Sequence, residues 1–254
     1  MLNSEKTSVP SGSLFAILDE RVTEGVRCGL SRLGFSVITL PRDSRLGEAV
    51  SSHTDMLLFR HGRNIIGSGC YFEKNAALGA TLRSIGFNIT ESDASPARDY
   101  PHDAIFNALV IADMLFCKAD TVCRDVVEYA QAQGLRVIGV KQGYPACTTL
   151  PLGEGAAITS DGGMARALMR EGIDAILVEQ SEKILLPPYK NGFIGGAAAS
   201  LGKKIYFFGN IETLPYCDTL KKSADRLGLE LISLDENADC LFDLGGAILC
   251  QGGF

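Results

Sequence analysis

Apolar and polar residues follow a pattern that recurs five times along the chain. Each copy is an amphipathic stretch with the period of an α-helix, then a glycine, then a short β-prone run. A glycine directly after a helix is typical of a left-handed C-cap, because it has no Cβ to clash there. The pattern therefore predicts five helix–strand units, whose junctions read RLGFSVITL, SIGFNITES, AQGLRVIGV, REGIDAILV and RLGLELISL around Gly34, Gly86, Gly134, Gly172 and Gly228.

A second apolar run, interrupted by glycine or polar residues, follows each of these strands. The five predicted helices cover residues 22–33, 75–85, 122–134, 163–170 and 217–227, and the second runs read DMLLFRHGRNII, DAIFNALVIADMLFC, CTTLPLGEGAAIT, NGFIGGAAASLGKKIYFFGN and DCLFDLGGAILC. The chain also has a strand-like stretch, 14–18, with no partner before the first helix. We therefore expect this stretch to complete the fifth unit with the last run.

This arrangement predicts an α/β fold in which five ββαβ units form a ring, a five-fold pseudosymmetric α/β propeller without exposed sheet edges. The alternative is a doubly wound parallel sheet, which also alternates helices and strands. Two strand-like runs per helix, and the lack of a GxGxxG motif after the first strand, count against that alternative. Residues 1–12 are expected to be a flexible tail and 13–254 a single domain of five repeats.

Composition and charge narrow the range of partners. The chain of 254 residues has 46% hydrophobic and 21% charged residues, a net charge of −6 and a pI near 5.2. Its basic residues are scattered, so a nucleic-acid partner is not expected. It has no run of 18 apolar residues, so no membrane partner is expected. The eight cysteines include no CxxC pair and have no histidines at metal-ligand spacing, so we expect no metal, no cofactor and a cytoplasmic location.

Two segments of the chain repeat one phrase. PHDAIFNALVIAD at 101–113 and NADCLFDLGG at 237–246 both place an aspartate three residues before a phenylalanine and four before a second Asp or Asn. The first segment resembles the substrate-binding carboxylate stretch of the dimethylarginine hydrolases. FIGGAAASLG at 193–202 resembles their histidine-bearing stretch, and DLGGAILC at 243–250 resembles the strand that ends in their catalytic cysteine. The chain thus resembles the pentein superfamily of guanidino-modifying enzymes, and within it an uncharacterised bacterial branch.

The resemblance implies a site in which carboxylates bind a guanidinium group, a cysteine attacks its carbon and a histidine moves protons. Cys250 would be the nucleophile, although a buried structural cysteine is the alternative. The candidate ligand contacts are the polar residues of the repeated phrase, its phenylalanines and one arginine: Asp103, Asn107, Asp239, Asp243, Phe106, Phe242 and Arg60. If each polar pair lies on a strand, its members share one face; the alternative is that they cap strand ends or satisfy loop amides.

The expected catalytic histidine is missing from the motif. Phe193 stands where the family motif has histidine, and the chain has only His53, His61 and His102. We therefore expect a protein that binds a small polar or cationic metabolite, such as a guanidino or amine compound, in the axial cavity without the family's catalysis. A divergent guanidino- or ureido-group hydrolase or amidinotransferase using Cys250 is the alternative.

Overall fold

The structure, a computed structural model, describes residues 12–252. The predicted tail therefore lies outside the described residues except for Gly12, and its boundary with a single domain at 13–254 stays a prediction. The strands are β1 Leu14–Asp19, β2 Phe35–Leu40, β3 Leu58–His61, β4 Asn64–Ser68, β5 Asn88–Ser92, β6 Leu109–Ile111, β7 Met114–Cys117, β8 Arg136–Gly139, β9 Thr149–Pro151, β10 Ala156–Thr159, β11 Asp174–Leu177, β12 Ile184–Leu185, β13 Ala198–Leu201, β14 Lys204–Phe207, β15 Glu230–Ser233, β16 Leu241–Phe242 and β17 Ala247–Gln251.

The α-helices follow the predicted positions and add short turns between them. They are α1 Glu24–Arg32, α2 Thr54–Leu57, α3 Gly69–Lys74, α4 Ala76–Ser84, α5 Arg124–Ala132, α6 Pro145–Thr148, α7 Gly162–Arg170 and α8 Cys217–Leu227. Short 3-10 helices cover Glu48–Val50, His102–Ala104 and Ile211–Thr213. All five predicted junction glycines have positive φ, between +66° and +99°, which confirms their role as helix terminators. No helix within residues 12–252 combines the length and the apolarity needed to cross a membrane.

The strands form five three-stranded sheets of one design, and β12 pairs with β16 in a sheet of two strands. The strand orders are β17-β1-β2, β3-β4-β5, β6-β7-β8, β9-β10-β11 and β13-β14-β15. In each, the middle strand pairs antiparallel with the first strand named and parallel with the last. One or two helices connect the middle strand to its parallel neighbour. We call each sheet with its helices a unit, numbered one to five by its middle strand.

The mixed α/β fold built from small sheets is thus confirmed. Most of the second apolar runs contain two strands, because a turn folds each into an antiparallel hairpin. The stretch at 14–18 pairs with the last run as expected, with Leu14 opposite Gln251 and Leu18 opposite Ala247. The sheets are separate from one another rather than hydrogen-bonded into one closed sheet, and the described residues contain no doubly wound parallel sheet.

Buried apolar side chains connect the units in pairs. One cluster packs Ile17 of unit one against Ile65 of unit two. Another packs Ala16 of unit one against Tyr206 of unit five. Three further clusters join units two and three, three and four, and four and five. Each unit therefore buries its apolar faces against two neighbours, and unit one does so against the last unit.

Candidate active site

A cavity of about 270 Å³ opens among the segments that precede the first strands of several units. Its walls combine acidic, aromatic and apolar side chains with one histidine and one cysteine. The lining residues are Val50, His53, Met56, Asp103, Tyr144, Cys147, Leu186, Tyr189, Asn191, Phe193 and Asp243. No lysine or arginine is among these lining residues, so the wall of the cavity carries acidic side chains without a basic partner on it.

Cys147 lies in α6, directly before the first strand of unit four. Its buried thiol donates to Asp55 Oδ2 at 2.6 Å and accepts from Asn107 Nδ2 at 3.1 Å. The backbone carbonyl of Cys147 also accepts from Gly196 N at 3.1 Å. Burial, together with the negative charges of Asp55 and Asp243, raises the pKa of the Cys147 thiol. The thiol therefore stays protonated at neutral pH.

Asp55 lies in the first turn of α2, and its backbone N–H donates to the carbonyl of Gly245. Gly245 has φ +65°, and a Cβ there would come within 2.7 Å of Asp55 Oδ1. The glycine is therefore required where the DLGG segment meets the Asp55 carboxylate. Burial and the neighbouring Asp243 raise the pKa of Asp55 to about 8, although the hydrogen bond from Cys147 opposes this shift.

His53 precedes α2 and is 1% exposed. Its Nε2 lies 3.8 Å from Asp19 Oδ2 and 4.0 Å from Asp243 Oδ1, and neither ring nitrogen has a hydrogen-bond partner among the described residues. Burial lowers the pKa of the imidazole, while the charges of Asp243 and Asp19 oppose that shift. Arg21, whose guanidinium pairs with the Asp19 carboxylate, neutralises that acid from outside the cavity.

Asp243 follows β16 and is held by the backbone. Its Oδ2 accepts from Phe193 N at 2.8 Å and its Oδ1 accepts from Gly245 N at 3.0 Å. A Cβ on Gly196 would lie 1.9 Å from Asp243 Oδ1, so the FIGG segment can surround this carboxylate only with glycine at that position. Burial raises the pKa of Asp243, and these bonds limit the rise.

Asp103 and three tyrosines lie at the open side of the cavity. Tyr144 donates its hydroxyl to Asp103 Oδ2 at 2.7 Å and packs on the ring of Tyr100 at 5.4 Å between centroids. Asp103 Oδ1 is buried and has no partner within residues 12–252. Burial raises the pKa of Asp103, against the effect of the Tyr144 hydrogen bond. Tyr189 lines the cavity while 61% of its surface is exposed.

The polar residues of the repeated phrase are not on strands. Asp103 lies in a 3-10 helix, Asn107 precedes β6, and Asp239 and Asp243 flank β16. The expectation that each pair shares a strand face was therefore wrong, because the segments that approach the cavity are turns. Asp103 and Asp243 line the cavity and Asn107 contacts its cysteine, but Asp239 is exposed.

The other predicted residues lie outside the cavity lining. Cys250 is buried on β17 opposite Phe15, in the core between units one and two, and burial raises its pKa. Phe106 is buried in the core between units two and three, and Phe242 packs in the core between units five and one. Arg60 is exposed on β3 and donates to the Gly62 carbonyl. The structure thus brings Asp103, Asn107 and Asp243 together at the cavity, while Cys250, Phe106, Phe242 and Arg60 lie elsewhere.

Sequence reasoning missed the three residues whose ligand atoms lie within 4.8 Å of one another: His53, Asp55 and Cys147. They are separated by up to 94 residues, so no local spacing marks them. One signal was available, because each of them sits shortly before the first strand of its unit, as Asp103 does. The histidine that lines the cavity, His53, comes from the segment before β3 and not from position 193.

The arrangement supports two kinds of chemistry. The carboxylates and the tyrosine rings can bind a cation, since they offer negative oxygens and ring faces to N–H donors. The cysteine, the aspartate and the histidine can also exchange protons, or can ligate a metal, because each presents a donor atom toward the same space.

Comparison with solved structures shows which proteins share this fold. A dimethylarginine dimethylaminohydrolase variant in an adduct with S-methyl-L-thiocitrulline aligns with a TM-score of 0.55 at 11% identity, over 89% of this chain and 93% of that one. SxtG, an amidinotransferase from Microseira wollei in the saxitoxin biosynthetic pathway, aligns at 0.53 and 11% identity, over 96% and 97%. The N-terminal domain of ArgZ, an arginine dihydrolase from the ornithine–ammonia cycle in cyanobacteria, bound to product, aligns at 0.52 and 13% identity, over 92% and 94%.

These alignments confirm the resemblance to the pentein superfamily at the level of the fold. At such low identity they carry the fold alone, and the residues of the cavity have to be argued from their own geometry. No curated protein matches the sequence. The profile of a family of unknown function, DUF6873, matches residues 17–248. The chain therefore belongs to the DUF6873 family.

Proposed function

We propose that this protein binds a small cationic metabolite, a guanidino or amine compound, in the cavity described above. One observation carries the proposal: Asp103 and Asp243 line the cavity, Asp55 contacts the cysteine that lines it, and the lining includes no lysine or arginine. The Oδ1 atoms of Asp55 and Asp103 are buried and have no hydrogen-bond partner in the described part of the chain. Buried carboxylate oxygens without donors are costly, so a ligand that brings N–H donors would be stabilised there.

The aromatic lining supports a cation over an uncharged ligand. Tyr144, Tyr189 and Phe193 line the cavity, and a cation that binds over the face of an aromatic ring gains about 0.5–2 kcal/mol. The volume of about 270 Å³ suits a metabolite rather than a peptide or a nucleic acid. The proteins that share the fold include an arginine dihydrolase and an amidinotransferase, which is consistent with a ligand of this class.

We also propose that the five units close into a ring with this cavity on its axis. The clusters that join each unit to two neighbours, and unit five to unit one, support this closure. The segments that line the cavity come before the first strands of units two, three, four and five, and, for unit one, from the DLGG segment before β17. In a ring, these positions are equivalent by symmetry and would meet at one centre.

The test compares two ligands of nearly the same shape that differ in charge. Agmatine carries a guanidinium, and N-carbamoylputrescine carries an uncharged ureido group on the same chain. Calorimetry with chelator present should show agmatine binding at least about 10-fold more tightly, since one hydrogen bond to a charged group contributes about 1.5–3 kcal/mol. Both ligands keep the ammonium group at the other end of the chain, so equal affinity would refute recognition of the guanidinium, and no thermal stabilisation by either at millimolar concentration would contradict the whole proposal.

A matched pair of variants locates the site. Asp103→Asn keeps an oxygen for the Tyr144 hydroxyl but replaces the unpartnered Oδ1 by an amide, so agmatine affinity should fall by about 10-fold or more. Asp239→Asn makes the same change at an exposed acid of the repeated phrase and should leave affinity unchanged. Equal effects of the two substitutions would place the ligand outside the cavity.

A second candidate function is hydrolysis of the bound guanidinium by Cys147. The 2.6 Å hydrogen bond from its thiol to Asp55 favours this, because Asp55 can accept the proton as sulfur bonds to the guanidinium carbon. Ammonia would leave with that proton, and water would then displace the sulfur to give a ureido product and regenerate the thiol. Cys147 replaces Cys250 in this proposal because Cys147 lines the cavity and Cys250 does not. Ureido product that survives in Cys147→Ser but vanishes in Cys250→Ser would refute it.

The remaining partner expectations stay predictions. The absence of a nucleic-acid partner rests on the scattered basic residues, and the cytoplasmic location on the reduced, unpaired state expected of the cysteines. All eight cysteines are free in the structure, and Cys28 and Cys70 are the exposed ones.

A further inference from the structure

We infer that Cys147, His53 and Asp55 form a binding site for one divalent transition-metal ion of the Zn²⁺ class. The inference goes beyond the cation proposed above, because it concerns an inorganic ion and three particular donor atoms. One sulfur, one imidazole nitrogen and one carboxylate oxygen lie within 4.8 Å of one another, and two of the three residues are buried. Zn²⁺ accepts this mixture of ligands, and three protein ligands leave its fourth position to the cavity.

The hydrogen bond between Cys147 and Asp55 does not by itself explain the cluster. That bond satisfies the thiol and Asp55 Oδ2, yet it leaves Asp55 Oδ1 and both nitrogens of His53 without partners among residues 12–252. An imidazole that is 1% exposed and makes no hydrogen bond is expensive to bury. A metal ion bound to one ring nitrogen would give the imidazole a partner and would join all three side chains at one point.

Charge also favours a divalent ion at this place. With Cys147 as thiolate and Asp55 as carboxylate, the ligands carry two negative charges that a divalent ion balances. Asp243 is close to His53, but its oxygens already accept two backbone N–H groups, so it is not needed as a ligand.

The surroundings can orient these ligands. Asn107 Nδ2 lies 3.1 Å from the Cys147 sulfur and can donate to a thiolate. Asp19, held by Arg21 and by a 2.7 Å hydrogen bond from Ser52, lies 3.8 Å from His53 Nε2. A carboxylate behind a metal-bound histidine fixes the ring and increases its basicity, and removal of such groups typically lowers metal affinity 10–100-fold.

The experiment uses Co²⁺ as a spectroscopic probe on the full chain. Cys28 and Cys70 are first replaced by serine, because their exposed thiols could bind metal on their own. After treatment with chelator and its removal, Co²⁺ is titrated without any organic ligand. We expect one equivalent to bind, with a thiolate-to-Co²⁺ charge-transfer absorption and the visible bands of a four-coordinate ion, and Zn²⁺ to displace it.

Variants then assign the ligands. Cys147→Ser should abolish the charge-transfer absorption, and Asp55→Asn and His53→Gln should each weaken binding by more than about 100-fold, beyond the effect of losing an outer contact. The controls are Cys250→Ser and His61→Gln, which lie outside the cluster and should bind as the parent does. Zn²⁺ should also raise the melting temperature of the parent but not that of Cys147→Ser. This shift on adding Zn²⁺ measures binding even if the variant is less stable than the parent without metal.

Three results would overturn the inference: no charge-transfer absorption in the parent, the same absorption in folded Cys147→Ser, or equal losses in the control variants. The outcome is separable from that of the proposed function. Agmatine is tested in chelator and Co²⁺ is tested without agmatine, so either proposal can fail alone.

Discussion

Replacing Gly196 with alanine should destabilise the protein, because the new Cβ would lie 1.9 Å from Asp243 Oδ1. The closest neighbour is a carboxylate fixed by two backbone N–H groups, those of Phe193 and Gly245. The carboxylate has to rotate away to make room, and both donors then lose their buried acceptor. Each such loss costs about 1–3 kcal/mol, so we expect about 2–6 kcal/mol in total.

Urea unfolding measures this loss directly. The free energy of unfolding of a domain is about 5–15 kcal/mol, so a loss of this size is a large part of it. The urea concentration at the midpoint of unfolding should therefore fall by well more than experimental error. Gly155→Ala is the matched control, since Gly155 has no positive φ and a Cβ there meets nothing within 4 Å. It should change stability by no more than about 0.5 kcal/mol.

The reasoning is refuted if the free energy of unfolding of Gly196→Ala is within about 1 kcal/mol of that of the parent while Gly155→Ala is as stable as expected. That result would mean that the Asp243 carboxylate is not held by these two amides. If the predicted loss is found, the FIGG and DLGG segments act together to fix one acid at the cavity.

Two further predictions concern an ion pair and the thiols. The Arg45 guanidinium binds both oxygens of the buried Asp43; burial alone would raise the pKa of this acid, but these bonds lower it. An acid whose pKa is lower in the folded state than in the unfolded state stabilises the fold at pH values above its unfolded-state pKa. This stability is lost as the pH falls through its folded-state pKa. Arg45→Met should therefore cost about 2–3 kcal/mol at pH 7, and the gap between the denaturant curves of variant and parent should narrow as pH falls below 3.8, the usual pKa of the acid; a gap that stays constant below this pH would contradict this origin. Iodoacetamide followed by mass spectrometry should modify Cys28 and Cys70 in the native protein and Cys147 only after unfolding, and fast native labelling of Cys147 would show an activated thiolate that the structure does not explain.

The sequence was sufficient for the mixed α/β architecture. Periodicity and the junction glycines located the helix that precedes each of these glycines, and the unpaired stretch at 14–18 identified the partner of the last strand. These features are local in the chain or follow from counting strands, so they can be predicted from a single sequence. The hairpins inside the second runs were not resolved. Three of their turns contain a glycine with positive φ, Gly62, Gly153 and Gly202, but a glycine inside an apolar run does not by itself mark a reversal of the chain, and the turn between β6 and β7 has Ala112 at positive φ instead.

The site was predictable only in part. The recurring phrase pointed to Asp103 and Asp243, which line the cavity, and also to Asp239, which is exposed. His53 and Cys147 follow no shared phrase, since their encounter depends on how the units pack rather than on any spacing along the chain. The resemblance also directed attention to Cys250, which packs in a core between two units.

The pairing of β1 with β17 has a consequence for synthesis on the ribosome. β1 is made early, and its antiparallel partner follows about 230 residues later. At roughly 5–20 residues per second, the first unit waits on the order of 10–50 seconds for its missing strand. During that interval one edge of β1 is open to other nascent chains. Units two to five find all their strands within their own segments, so unit one, although its middle strand is made first, is the last to be completed.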